Sequence, residues 1–260
     1  MRKKLNEILT ADEFCNKQDD LSQAKDLESL FDVWKDAHLE EKAPEETLPF
    51  SSKEHILGRN FQGNFFRDGV TTLAGHEPQS VPPKVDILFV LKESNASEES
   101  HTEESNANGD SHSCAPFWFN ELDESDQSLE KASSISARKR YKKNLEMALC
   151  RLGQDSCHTR FGYMNLNKRG GFGSTHYVQL KAYTAKYRRF ILRQIELHDP
   201  QTIVFCGCYN GIASLLFKNV RSTWDCQPKT AQINGHPVKL FYLYHPACPS
   251  FKKSLPNLSL

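Results

Sequence analysis

The stretch from residue 190 to residue 217, FILRQIELHDPQTIVFCGCYNGIASLLF, decides the fold. Apolar residues three and four apart predict one long helix from Leu180 to His198, and Pro200 ends it because proline lacks the N–H that another turn requires. Ile203 to Cys206 is an uninterrupted apolar run, short enough for a strand covered on both faces. Gly207 and Asn210 then turn the chain into a further helix, Gly211 to Phe217. A helix, a buried strand and a second helix in succession predict an α/β domain.

The same pattern extends in both directions. Upstream, Pro82 and Pro83 introduce Val85 to Leu91, an apolar run with one polar residue, Asp86. Phe161 to Leu166 reads as another strand, and Lys168 to Ser174 as a glycine-rich loop after it. Ala137 to Leu152 reads as a helix with Tyr141, Leu145, Ala148 and Leu149 inward and its Lys/Arg cluster outward. Downstream, Val238 to Tyr244 is the last apolar strand, and it runs directly into His245 and Pro246. The predicted architecture is a three-layer sandwich: a central, mostly parallel four-stranded sheet flanked by helices. Ahead of it, Leu27, Leu30, Phe31 and Trp34 share one helical stripe, so residues 1–50 form an N-terminal helical extension closed by Pro44 and Pro49. Residues 51–260 are the α/β domain. Residues 96–114 are Ser, Glu, Asn, Gly and His with almost nothing apolar, a flexible polar insertion that buries too little to offset the entropy of ordering.

Composition narrows the function classes. The chain has 260 residues, 33 basic and 33 acidic side chains and 38% hydrophobic residues, which excludes coiled-coil, collagen-like and wholly disordered chains. No apolar run approaches the roughly 18 residues of a membrane span, and the basic start MRKKLNEILT leads to acidic residues with no apolar core of a signal peptide. A cytoplasmic or nuclear monomer is the expectation. The eight cysteines are scattered, which predicts reduced thiols and neither a disulfide framework nor a metal site. Overall neutrality conceals segregation: residues 1–50 carry thirteen acidic and seven basic side chains, and residues 96–130 carry ten acidic and no basic ones. From Arg138 to Arg193 there are fourteen basic and two acidic. A local field of that kind permits a polyanionic partner, and a solvated helix surface gives the same bias.

In open α/β sheets ligands bind beyond the carboxyl ends of the strands. Three segments occupy that place: Lys92 to Asn95, the loop after Asn165, and His245 to Ser250. The order and spacing of GYMNLNKRGG (162–171), the 190–217 stretch and YHPACPS (244–250) resemble the uracil-DNA glycosylase superfamily over Val85 to Ser250. That resemblance implies hydrolysis of the bond between a base and its deoxyribose, with DNA as partner and no cofactor. It implies that His245 donates a hydrogen bond to the departing uracil and that Asn165 reads the uracil edge. It places Glu93 or, one residue along, Ser94 at the position that activates water, with Asn95 a second water-holding candidate. LFVLKESN (88–95) departs from the family pattern in lacking its usual glycine and proline. Phe117, beside Trp118 and Phe119, is the candidate face on which a flipped base stacks. Lys168 and Arg169, with Ser250, are the candidate DNA-backbone contacts. Two other classes stay open: a nucleic-acid-binding module with this fold and no hydrolysis, and an unrelated α/β enzyme that takes a free nucleotide at the same strand ends.

Overall fold

The computed structural model describes residues 21, 23–39, 65–73, 83–95, 129–156, 158–171, 177–221, 223–225 and 227–258. The chain divides into two compact units, each threaded from three segments. The first comprises residues 1–67, 92–114 and 165–197, and the second residues 68–91, 115–164 and 198–260.

In the first unit, α1 (Leu27–Leu39) starts at Asp26, whose Oδ1 accepts the Ser29 N–H at 2.8 Å. That bond satisfies a donor the helix itself leaves open and holds the Asp26 carboxyl below its usual range. Leu27, Leu30, Phe31 and Trp34 are all buried, as their spacing predicts. They meet an aromatic cluster in which Trp34 stacks on Phe190 at 5.4 Å and meets the Phe65 ring edge-on at 5.8 Å. Arg67 pairs with Glu28 and Asp32 on the outer side of α1. The predicted helix over 180–198 is two helices, α3 (Tyr177–Lys186) and α4 (Arg188–His198), which meet at Tyr187. Tyr187 is buried against Tyr183 and Phe190, and the Arg193 guanidinium anchors α4 to the Ala24 carbonyl at 2.7 Å.

A mixed sheet in the order β1-β3-β2-β4-β6-β5 supplies the core of the second unit, while β2 from Lys92 and β3 from Asn165 are counted in the first. The strands are β1 (Gly69–Thr71), β2 (Ile87–Asn95), β3 (Phe161–Gly171), β4 (Thr202–Cys206), β5 (Lys229–Ile233) and β6 (His236–Leu243). Six strands therefore replace the four expected. The central three, β2, β4 and β6, are parallel, with Leu88 opposite Ile203 and Ile203 opposite Leu240. The two unexpected strands are the outer ones, and each pairs antiparallel with its neighbour. β5 and β6 form a hairpin whose turn residues, Asn234 and Gly235, have φ of 48° and 83°. A two-residue turn of that hand suits the twist of the strands, and asparagine and glycine adopt it at least strain.

One face of this sheet carries Ile87, Phe89, Leu91, Phe161, Tyr163, Val204, Cys206, Phe241 and Leu243, alternate residues of their strands. α2 (Leu129–Arg151) packs there through Tyr141, Leu145, Ala148 and Leu149, beside a closing 3-10 helix (Phe251–Leu258) that contributes Phe251 and Leu258. Residues of the other register, Leu88, Val90, Ile203, Phe205 and Leu240, are equally buried, which explains why these strands read as continuous apolar runs. Gly162 allows close strand contact: a Cβ there would lie 2.7 Å from the Leu88 side chain. The short α5 (Ala213–Leu216) follows β4. No helix among the described residues is long and apolar enough to cross a membrane.

Candidate functional site at the carboxyl end of β6

The parallel register brings the carboxyl ends of β4 and β6 level, with Cys206 opposite Leu243, and the Gly207 N–H continues the pairing to the Leu243 carbonyl at 2.7 Å. β6 then gives way to a tight turn in which the Cys248 N–H donates to the His245 carbonyl at 2.7 Å. His245 stands at the start of this turn. Its Nδ1 accepts the Ala247 N–H at 3.2 Å. An imidazole nitrogen that accepts a hydrogen bond carries no proton, so the neutral ring holds its proton on Nε2.

α2 supports this turn at two points one helical turn apart. The Tyr141 ring meets the His245 ring edge to face at 5.6 Å, and Tyr141 is itself fixed by a 2.6 Å hydrogen bond between its hydroxyl and that of Tyr163. Burial, then the neighbouring Tyr163, pushes the Tyr141 hydroxyl well above the usual phenol range, so it serves as a neutral strut. The buried Asn144 carboxamide donates to the Pro246 carbonyl at 2.6 Å. Replacing Asn144 with leucine keeps the volume and removes that donor. Leaving the Pro246 carbonyl unmatched is expected to lower stability by about 1–3 kcal/mol, read as a reduced urea midpoint with an unchanged slope.

The remaining sequence candidates distribute as follows. Ser250 is half-buried in the same turn, where its carbonyl accepts the Lys253 N–H. Asn165 is buried on β3, in the first unit. The glycine-rich loop expected from Lys168 onward is corrected: β3 continues as a strand through Gly171. Lys168 is fully buried, with Nζ 5.2 Å from the Trp34 ring centroid and 5.5 Å from that of Phe31. Its ammonium is held by aromatic faces and is withdrawn from the surface where a phosphate would bind, so its assignment as a DNA-backbone contact is corrected too. Likewise β2 runs as a strand through Asn95, so Lys92 to Asn95 is not a loop. The side chains of Glu93, Ser94, Asn95 and Arg169 lie outside the described residues, as does Phe117. Among the described residues no three His, Cys, Asp or Glu side chains cluster to hold a metal ion.

A polar cleft of about 600 Å³ lies at the amino ends of β2, β4 and β6, lined in part by Asp86, Gln154, Asp199, Gln201 and His236. Asp199 follows α4 at φ 46°, and its carboxylate accepts from Asn234 at 2.7 Å, His236 at 2.9 Å and Lys84 at 3.1 Å. These bonds tie the hairpin turn to the α4–β4 junction. They hold the Asp199 carboxyl below its usual range, Asn234 contributing most, and Asp199 raises the His236 imidazole above its own. The Asp199 contribution to stability is present above pH 3.8 and is lost as pH falls toward its lowered folded value. The His236 contribution is present below pH 6.5 and is lost as pH rises through its raised folded value. Asp199→Asn preserves a residue type that tolerates positive φ. The melting-temperature advantage of the natural chain over this variant is therefore expected to peak between about pH 4 and 6.5 and to shrink on both sides. A flat difference from pH 3 to 9 would contradict the charge network.

Compared with protein-family models and with curated proteins, the chain matches none.

Proposed function

We propose that the protein is a DNA glycosylase-like hydrolase that cleaves the N-glycosidic bond of uracil or a related damaged base in DNA, on the three-layer α/β architecture that the sequence pattern predicts. The observation that carries the reading is the state of His245. It stands at the carboxyl end of a parallel strand, and its Nδ1 bond to the Ala247 N–H leaves Nε2 as the protonated nitrogen. As a glycosidic bond lengthens, negative charge collects on the leaving base, and a donor fixed before the reaction stabilises that charge without reorganising. Asn165 is assigned to the uracil edge because a carboxamide offers one acceptor and one donor, and Glu93 and Asn95 to water on the sugar side.

A second reading, a nucleic-acid-binding module without hydrolysis, is favoured by one observation. β2 remains a strand through Asn95, where water activation calls for a loop that wraps the sugar. The deciding experiment incubates the full chain with single-stranded and duplex oligonucleotides containing one uracil, then assays free base and abasic sites. Base release supports hydrolysis. Salt-dependent binding without product across the common deaminated bases selects the second reading.

A further inference from the structure

At the tip of β6, next to His245, Tyr244 is 38% exposed, and no other large apolar side chain described in its unit is as open. It is also braced. The Tyr242 ring meets it edge-on at 5.9 Å, and Tyr242 in turn contacts Trp224 at 6.3 Å and Tyr209 at 6.4 Å. The Tyr244 N–H donates to Ser254 Oγ at 2.9 Å, which ties the strand tip to the closing 3-10 helix. That helix presents Lys252 and Lys253 to solvent, and neither makes an ion pair among the described residues. From Tyr244 to Leu260 the sequence has no Asp or Glu. Within the ring cluster, Tyr209 Oη and Trp224 Nε1 are buried and have no hydrogen-bond partner among the described residues.

We infer that Tyr244, Lys252 and Lys253 form a binding platform for single-stranded nucleic acid. A half-open phenol ring braced by Tyr242 offers a surface to an unstacked base, and the two adjacent exposed cations on the helix tied to the same strand tip offer charge to neighbouring phosphates. In a duplex each base face is already occupied by its neighbours, so the ring has nothing to stack on and duplex gains only the charge contacts. The platform rests on the nucleic-acid reading of the His245 site, and does not require that any bond be cleaved.

The test measures binding of the full-length chain to a labelled uracil-free oligothymidylate by fluorescence anisotropy, beside a duplex of equal length and a polyglutamate peptide. Single strand is expected to bind more tightly than either. Tyr244→Ala is expected to weaken single-strand binding by roughly 5- to 100-fold with little change in salt dependence, and Tyr244→Phe to restore it. The Lys252→Ala, Lys253→Ala double variant is expected to flatten the slope of log affinity against log salt by about 1.4, two phosphate contacts on a single strand. Single-strand binding that is indifferent to Tyr244→Ala overturns the platform, as does preference for duplex or for the acidic peptide. The outcome separates from that of hydrolysis. Base release with Tyr244-independent binding removes the platform and leaves the glycosylase reading, whereas Tyr244-dependent binding without base release does the reverse.

Discussion

Replacing His245 with alanine is expected to reduce uracil release by about 10²- to 10³-fold, the usual loss when one fixed donor to a developing anion is removed. The fold should survive. The contact of its ring with Tyr141 is worth about 0.5–1.5 kcal/mol, and the Asn144 bond to Pro246 and the Cys248 bond to the His245 carbonyl both persist in the variant. A glutamine at 245 keeps an N–H donor and is expected to recover part of the rate. The measurement is single-turnover base release with enzyme in excess, so that product dissociation does not hide the chemical step. Full activity in the alanine variant would remove the imidazole from the mechanism and with it the main support for hydrolysis.

The second large effect is on stability. Trp34→Ala is expected to cost the first unit about 3–5 kcal/mol, a large share of the stability of an ordinary domain. The indole fills a fully buried position between the Phe65 and Phe190 rings, and its face also lies beside the Lys168 ammonium. Truncation therefore opens a cavity and strips a buried cation of an aromatic face beside it. Trp34→Phe keeps an aromatic face and should lose much less. Urea unfolding followed by circular dichroism gives both values. An alanine variant within 1 kcal/mol of the natural chain would show that the aromatic cluster is not cooperative.

The contrast between Trp34 and Lys168 shows where sequence reasoning succeeds. Trp34 was legible because burial on a helix leaves a local period: Leu27, Leu30, Phe31 and Trp34 mark the inner stripe whatever covers it. Lys168 was not, since nothing within ten residues indicates that rings more than a hundred positions upstream enclose its side chain. The three parallel strands were visible as apolar runs because both of their faces are covered. β5 escaped because an outer strand exposes alternate residues: Thr230 and Gln232 face water, and only Ala231 and Ile233 are buried. A usable signal did exist in Asn234-Gly235, a strong short-range mark of a hairpin. The break between α3 and α4 has no glycine or proline to announce it; Tyr187 sits there among tertiary ring contacts.

At the candidate site, the position of His245 just beyond a strand was legible from the apolar run that precedes it, and its role was implied by the resemblance. Its supports were only half so. Tyr141 reads as an inward residue of α2, but its bond to Tyr163 is a matter of tertiary register. Asn144 carried the overlooked signal: a polar side chain beside Leu145 on the inward stripe must find a partner, and the Pro246 carbonyl, 102 positions away, is that partner.

The strand order also bears on how the chain is made. β2 lies between β3 and β4, and both neighbours come later in the polypeptide. On a ribosome delivering residues from the amino end, the oily ILFVL segment of β2 emerges with neither flanking ladder available, and the first cannot form until residue 161 has cleared the exit tunnel. The nascent chain thus passes through an interval in which this apolar segment has no lawful mate, and that interval is where a chaperone holding extended hydrophobic peptide has most to do.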